Sequence, residues 1–232
     1  MRTPPNPSAT VSRPAIVLVL TLTALMAARV LGHSVWIEPS DDGQLVVRFS
    51  EPGEEYETSP GHLDGVSPPV AFFPTGTNGS PQTIDAPRKT DHFLLPDLSP
   101  TNAACLEAAY AVMTTPGRPG RKPIFYARWH PDVTVDAEPA LTLDLVPTGK
   151  PGEVRVYFRG QPLADIAATL HGPDGKNREV TADSEGYLRF TTDQSGLYHL
   201  SIGRHRETQG GFHGGLAYEL TSHNAALTWI QR

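Results

Sequence analysis

Short runs of alternating apolar and polar residues, separated by turn residues, make up most of this chain. From about residue 139 the runs are closely spaced, and Gly, Pro and Asp fill the gaps, as at Gly149–Gly152 and Gly172–Gly175. Runs of about four to eight residues with period two are typical of antiparallel strands in a sandwich. The pattern predicts strands at Leu141–Val146, Glu153–Phe158, Ala164–His171, Arg178–Thr181, Tyr187–Thr191 and Leu197–Ile202, and one or two more within Leu216–Ile230.

The first part of the chain has the same pattern with longer, proline-rich gaps at 51–68 and 74–91. Loops of that length often carry function. Residues 102–113 fit two patterns, because their Ala and Leu content suits a helix while their alternation suits a strand. The strand-rich surroundings favour a strand. The other predicted strands here are Val35–Glu38, Gln44–Ser50, Pro69–Phe73, His92–Leu95 and Pro123–Trp129.

Together these elements predict an all-β protein with two antiparallel, sandwich-like domains. The change in spacing divides the chain into an irregular β domain at 33–138 and a β-sandwich domain at 139–232. Side chains alternate between the faces of a strand, so Tyr198, Leu200 and Ile202 are expected to face the core. His199 is then expected on the solvent side.

The first 32 residues have the features of an export signal. Arg2 and Arg13 precede an uncharged run of 14 residues, 15–28, which is short for a membrane span and suits the apolar core of a signal peptide. Cleavage after Gly32, with Val30 and Gly32 as the small residues before the cut, would make His33 the first residue of the mature protein. Cleavage after residue 27 or 28 is an equally open alternative. We expect a periplasmic or secreted protein.

Composition narrows the function further. The net charge of -6 is spread along the chain without a basic stripe, which argues against nucleic acid as a partner. The single cysteine, Cys105, cannot form an internal disulfide and is expected to be buried. No second apolar run approaches membrane length, so the processed protein is not expected to span a membrane.

Several turn-and-strand segments in the last third of the chain resemble the transthyretin-like, or carboxypeptidase-regulatory-like, β-sandwich. Their glycines supply positive φ and their Asp residues close tight turns. These segments are Gly160–Ala164, Thr181–Gly186 and Gly196–Leu200.

Three further segments extend the resemblance to the whole mature chain. The start His33–Pro39, the strand Leu141–Pro147 and the final His223–Trp229 make it similar to a family of bacterial periplasmic proteins of unknown function associated with nickel or cobalt uptake. The resemblance implies a nickel or cobalt ligand and an inner-membrane metal transporter as partner.

The nine histidines offer the only recognisable chemistry. The sequence has no Ser/His/Asp arrangement with a nucleophile elbow, no phosphate-binding glycine loop and no H-E-x-x-H pair. A metal site needs imidazole or carboxylate donors that converge from different elements. His33 is the leading donor because a terminal amine and its own imidazole can chelate together. The predicted metal ligands are His33, His130, His213 and His223.

These four histidines differ in their setting. His130 lies at a strand end, whereas His213 and His223, ten residues apart, fit opposite arms of a hairpin. His62 is a loop residue that either serves as a mobile ligand or has no role. Glu38 and Glu51 are the carboxylates nearest the start motif, each a candidate ligand or a group that orients an imidazole.

These observations predict a periplasmic, non-catalytic binding protein for a divalent transition metal: nickel, cobalt or copper. It would assist metal uptake or delivery. Copper is favoured by the chemistry of an amine–imidazole chelate. The alternative is a β-sandwich interaction or adhesion module that binds no metal. A copper monooxygenase would need the same terminal His33, and nothing else in the sequence supports one.

Overall fold

The computed structural model describes residues 32–74, 83–96 and 98–232, and these are all-β apart from one short 3-10 helix, His62–Gly65. The predicted signal peptide, residues 1–32, lies outside the described residues except for Gly32. In the part of the chain that the structure describes, no helix has the length and apolar character needed to cross a membrane.

The strands follow the predicted pattern closely. The first nine are β1 (Ser34–Pro39), β2 (Leu45–Ser50), β3 (Val70–Phe72), β4 (Thr83–Asp85), β5 (Phe93–Leu95), β6 (Ala104–Ala109), β7 (Met113–Thr115), β8 (Arg118–Trp129) and β9 (Leu143–Pro147). The remainder are β10 (Glu153–Phe158), β11 (Gln161–Pro162), β12 (Ala167–His171), β13 (Asn177–Thr181), β14 (Tyr187–Arg189), β15 (Gly196–Glu207), β16 (Gly211–His213), β17 (Leu216–Tyr218) and β18 (Leu220–Gln231). The strand interpretation of 102–113 is confirmed by β6.

A nine-stranded sheet organises the fold. Its strand order is β13-β12-β15-β18-β8-β6-β3-β4, with β7 paired to β8. Neighbours are antiparallel except β18 and β8, which run parallel from Leu220 beside Arg121 to Thr228 beside Trp129. Three smaller sheets complete the structure: β1-β2-β5, β11-β10-β14 with β9 on β10, and the hairpin β16-β17.

Two hydrophobic cores lie on opposite faces of the large sheet. Phe125, Ala127 and Trp129 of β8 join the first core, with β1, β2 and β5, whereas the alternate residue Tyr126 joins the second, with β9, β10 and β14. The first core draws its residues from 35–129 and the second mainly from 141–229. The large sheet takes strands from both sides of the predicted boundary at 138/139.

The first strand packs across the large sheet and changes the environment of His199. Tyr198, Leu200 and Ile202 are in the second core as predicted. The expectation that His199 faces solvent is wrong, because it is only 4 % exposed. β1 covers that face, so the His199 ring lies edge-on to Trp36 at 5.4 Å and its Nε2 is 3.3 Å from Ser34 Oγ.

Candidate metal centre

Three side chains from separate segments of the N-terminal part converge on one point. His33 Nε2 lies 2.5 Å from Glu57 Oε1, and His62 Nδ1 lies 3.2 Å from the same oxygen. One ligand atom of each residue falls within 4.8 Å of the other two. Among the described residues, no other group of three or more His, Cys, Asp or Glu donors comes together in this way. We refer to these three residues as the His33 cluster.

Local structure fixes each member. His33 directly precedes β1, and its ring packs on Phe49 of β2 at 5.0 Å. Glu57 is tied to the same strand, because its backbone N–H donates to the Phe49 carbonyl at 3.0 Å. His62 begins the 3-10 helix, whose start is held by Asp64 accepting from the Gly61 N–H at 3.0 Å. Phe49 therefore provides a common support for two of the ligands.

The charge of the cluster suits a cation. The hydrogen bond from His33, with a further one from His62, lowers the pKa of Glu57 below its ordinary value. Glu57 is therefore ionised at neutral pH, and both rings direct an N–H to it. Glu51 adds a second carboxylate, with its Oε1 3.9 Å from His33 Nδ1.

The cluster is open to solvent. Side-chain exposure is 36 % for His33, 26 % for Glu57 and 71 % for His62. A metal ion can reach the three donor atoms from water and can be passed on by the same route. To bind a metal at these nitrogens, each ring would have to carry its proton on the other ring nitrogen or release it to water, since imidazole binds metals through an unprotonated nitrogen.

His130 lies apart from this cluster, at the end of β8. It is 7 % exposed, its backbone N–H donates to the Thr228 carbonyl at 3.1 Å, and its Nδ1 has no partner among the described residues. Burial, and then the positive charge of Arg128, lower its pKa. A neutral imidazole beside a guanidinium is an unfavourable place for a cation.

His223 is engaged on the second-core face of the large sheet. It is 3 % exposed, its Nε2 lies 2.9 Å from Glu207 Oε2, and its Nδ1 lies 2.9 Å from the Tyr126 hydroxyl. Because both ring nitrogens have partners, a metal would have to displace one of them. His213 is on the exposed hairpin strand β16, opposite Leu216. The structure does not bring it to His223, whose partner across the strands is His205.

Glu38 serves the fold instead of the cluster. It is 5 % exposed and accepts hydrogen bonds from Trp36 Nε1 at 2.7 Å, Arg48 Nε at 3.0 Å and the Tyr56 hydroxyl at 2.9 Å. Glu38, Arg48 and Tyr56 line a polar cavity of about 540 Å³ that His92 also lines. Burial, together with the Glu38 charge, raises the pKa of Tyr56 to about 12.

Cys105 offers no ligand either. It is fully buried as expected, and burial raises the pKa of its thiol to about 12. The thiol therefore stays protonated and unreactive.

Sequence reasoning identified His33 and mentioned His62 but missed Glu57. The signal for Glu57 was weak, since it closes the acidic stretch 54–57 inside a long loop. The only guide was the position of that loop directly after β2, which pairs with β1, the strand that follows His33.

A comparison of the chain with models of known protein families finds no match, and no curated protein matches it. The fold and the His33 cluster alone define its class: an all-β protein with a solvent-accessible group of two imidazoles and one carboxylate.

Proposed function

We propose that this protein binds a divalent transition metal, nickel, cobalt or copper, at His33, Glu57 and His62, and assists its uptake or delivery in the periplasm. The observation that carries the proposal is the convergence of His33 Nε2 and His62 Nδ1 on one oxygen of Glu57. An inner-membrane metal transporter is the proposed recipient. The role is binding and transfer, without a chemical reaction.

The donor set supports a first-row transition metal over Mg²⁺ or Ca²⁺. Imidazole suits nickel, copper, zinc and iron, whereas magnesium and calcium prefer sites made only of oxygen. Affinity for such sites rises from cobalt through nickel to copper. We therefore expect Cu²⁺ to bind most tightly in vitro, with Ni²⁺ and Co²⁺ following in that order.

Cleavage of the Gly32–His33 bond would add a second pair of donors on the other side of the His33 ring. It would free an α-amine, with an ordinary pKa of about 8, on the same residue as the first imidazole. The amine and Nδ1 of His33 can then chelate one ion together, next to Glu51, whose Oε1 lies 3.9 Å from Nδ1, while Nε2 stays directed to Glu57. N-terminal sequencing of protein purified from an exporting host determines whether this amine exists.

Calorimetric titration with Cu²⁺, Ni²⁺ and Co²⁺ tests the proposal. We expect His33→Ala, Glu57→Gln and His62→Ala each to weaken binding by at least about tenfold, the lower range seen even for groups that only orient a ligand. His213→Ala is the matched control, because it removes an exposed histidine outside the cluster. His130→Ala and His223→Ala test the two other ligands predicted from sequence.

Two results would contradict the proposal. Wild-type affinity in all three cluster variants would remove the site, and an absence of stoichiometric binding by the wild-type protein would leave a β-sandwich interaction module as the function. Loss of binding only in the His130→Ala or His223→Ala variant would show that the metal binds at that histidine instead of at the His33 cluster.

A further inference from the structure

Two arginines face the same side of the large sheet at one end, on either side of a buried serine. Arg206 of β15 is opposite Ser222 of β18, and Ser222 lies beside Pro123 of β8. Arg121 precedes Pro123 by two residues, so it points to the same face. That face is the one that carries β1 and the first core, since Phe125 continues the same alternation.

A β-bulge adds a third arginine. The register of β15 against β18 shifts between Ile202 and His205. Arg204, inside the bulge, has a left-handed φ of 61°, and its N–H donates to Asn224 Oδ1 at 2.9 Å. Its guanidinium reaches Gly32, since a Cβ built there would lie 3.3 Å from Arg204 Nη2. The bulge thus turns Arg204 towards the segment that leads into β1.

The positive charges of Arg204 and Arg206 act unfavourably on Arg121. Burial, and then the positive charges of Arg204 and Arg206, lower the pKa of Arg121. The Arg121 side chain donates to Met113 Sδ at 2.9 Å, which leaves its charge unbalanced. Within the described residues, neither Arg204 nor Arg206 has a side-chain hydrogen bond or ion pair. Residues 1–31, which precede Gly32, contain no Asp or Glu.

Most of the described arginines outside this group are neutralised. Six of the described ones have a carboxylate partner: Arg48, Arg88, Arg128, Arg159, Arg178 and Arg189. Although the chain has a net charge of -6, Arg121, Arg204 and Arg206 lie together without a carboxylate partner among the described residues. A bound anion would supply a counter-charge and remove the repulsion.

Ser222 provides a second, independent indication of a ligand. It is fully buried, and its Oγ has no hydrogen-bond partner among the described residues. A buried hydroxyl without a partner costs free energy, so native structures normally satisfy it. The register places it between the strands that carry Arg206 and Arg121, on their face of the sheet.

We propose that Arg121, Arg204, Arg206 and Ser222 bind the oxygens of a phosphate or sulfate group. Guanidinium groups are donors without acceptor capacity, and their fork matches two oxygens of such a group. The hydroxyl supplies one more donor. The ligand is either free phosphate or the headgroup of an anionic phospholipid, two sources with the same chemistry. This site does not depend on a metal at His33.

Thermal unfolding of the full chain in inorganic phosphate, sulfate or chloride at equal ionic strength tests the proposal. We expect phosphate or sulfate to raise the Tm in a saturable manner that chloride does not reproduce. Arg206→Gln and Arg121→Gln should each weaken the effect at least about tenfold, because each removes charge-assisted hydrogen bonds. Ser222→Ala should weaken it less. The control is Arg118→Gln, because Arg118 is an exposed arginine in β8, the strand that also carries Arg121.

A measurement without phosphate separates binding from a structural role. Arg206→Gln removes a charge that acts unfavourably on Arg121, so its Tm without phosphate should be unchanged or raised. A lowered Tm in phosphate-free buffer would mean that the arginine stabilises the fold, and would overturn the proposal.

Vesicles distinguish the two sources. If the protein sediments with phosphatidylglycerol vesicles, and this binding depends on Arg206 and Arg121 but not on Arg118, the ligand is a lipid headgroup. If instead the Tm responds to free phosphate with the same dependence on these arginines, the ligand is the free anion. No response in either experiment, or equal losses in Arg118→Gln, would overturn the proposal.

Discussion

Arg128 of β8 and Asp144 of β9 form a doubly hydrogen-bonded ion pair that is almost completely buried. Arg128 Nη2 donates to Asp144 Oδ2 at 2.6 Å and Nε donates to Oδ1 at 3.0 Å, with side-chain exposures of 1 % and 0 %. The carboxylate also accepts from the backbone N–H groups of Ala140 and Leu141. The pair therefore fixes the large sheet to the segment that opens the second core.

Breaking this pair should destabilise the protein strongly. Asp144→Asn leaves the Arg128 charge buried without a counter-charge, which typically costs about 3–5 kcal/mol of unfolding free energy. Urea denaturation measures the loss. The control is Lys150→Gln, which removes one charge from a partly exposed pair with Glu153 at 3.2 Å and should cost less than about 1 kcal/mol. Similar losses in the two variants would contradict a special role for the buried pair.

Gly152 occupies a turn that accepts no side chain. Its φ is +68°, and a Cβ built on it would lie 2.1 Å from the Phe190 carbonyl oxygen. Gly175 has a similar φ of +72° but open space around it. Gly175→Ala should therefore cost only about 1 kcal/mol from backbone strain, and Gly152→Ala should cost clearly more because the backbone must also move. Equal unfolding free energies in the two variants would show that the clash is relieved without cost.

His199 should make the fold sensitive to acid. Burial lowers its pKa to about 3, whereas an unfolded histidine has a pKa of about 6.5. Below pH 6.5 the unfolded state binds a proton that the folded state does not, so stability falls as the pH drops from about 6.5 towards 3. His199→Phe removes this contribution. As the pH falls, the free energy of unfolding of this variant should decrease less steeply than that of the wild-type protein. The two slopes should differ by up to about 1.4 kcal/mol per pH unit. Parallel curves for the two proteins would contradict the buried neutral ring.

Metal binding should weaken as the pH falls, and the imidazoles should be the cause. Glu57 keeps its charge, because the hydrogen bond from His33 lowers its pKa. Metal ions bind imidazole in its neutral form, so affinity should fall as the solution is acidified. Glu57→Gln should bind more weakly at every pH but keep the same slope. A slope that disappears in this variant would place the titrating group on the carboxylate.

The alternation of apolar residues was enough to predict the all-β class and most strands, because one face of each strand packs on a core. It failed at His199, where the second face is covered as well. Nothing within 197–202 indicates that β1, more than 150 residues earlier in the chain, lies over it. The all-β prediction is confirmed by the structure.

The site was only partly predictable for the same reason. His33 carried a recognisable motif, but Glu57 and His62 reach it through a loop whose course is fixed by backbone contacts with β2 and by the Asp64 cap. The bulge at Arg204 could not be predicted from the sequence either. It reverses the alternation of β15, so that different residues face the first core on its two sides. Local pattern cannot reveal contacts that depend on how distant strands are ordered in a sheet.

The last strand along the chain occupies the middle of the largest sheet. β18 supplies hydrogen bonds to β15 on one side and to β8 on the other, and its Thr228 hydroxyl donates to the Ile37 carbonyl of β1. During synthesis, the edges of β15 and β8 that pair with β18 stay without hydrogen-bond partners until its 12 residues, Leu220–Gln231, have been made. A chain interrupted before Leu220 would present two open strand edges to other chains and is expected to aggregate.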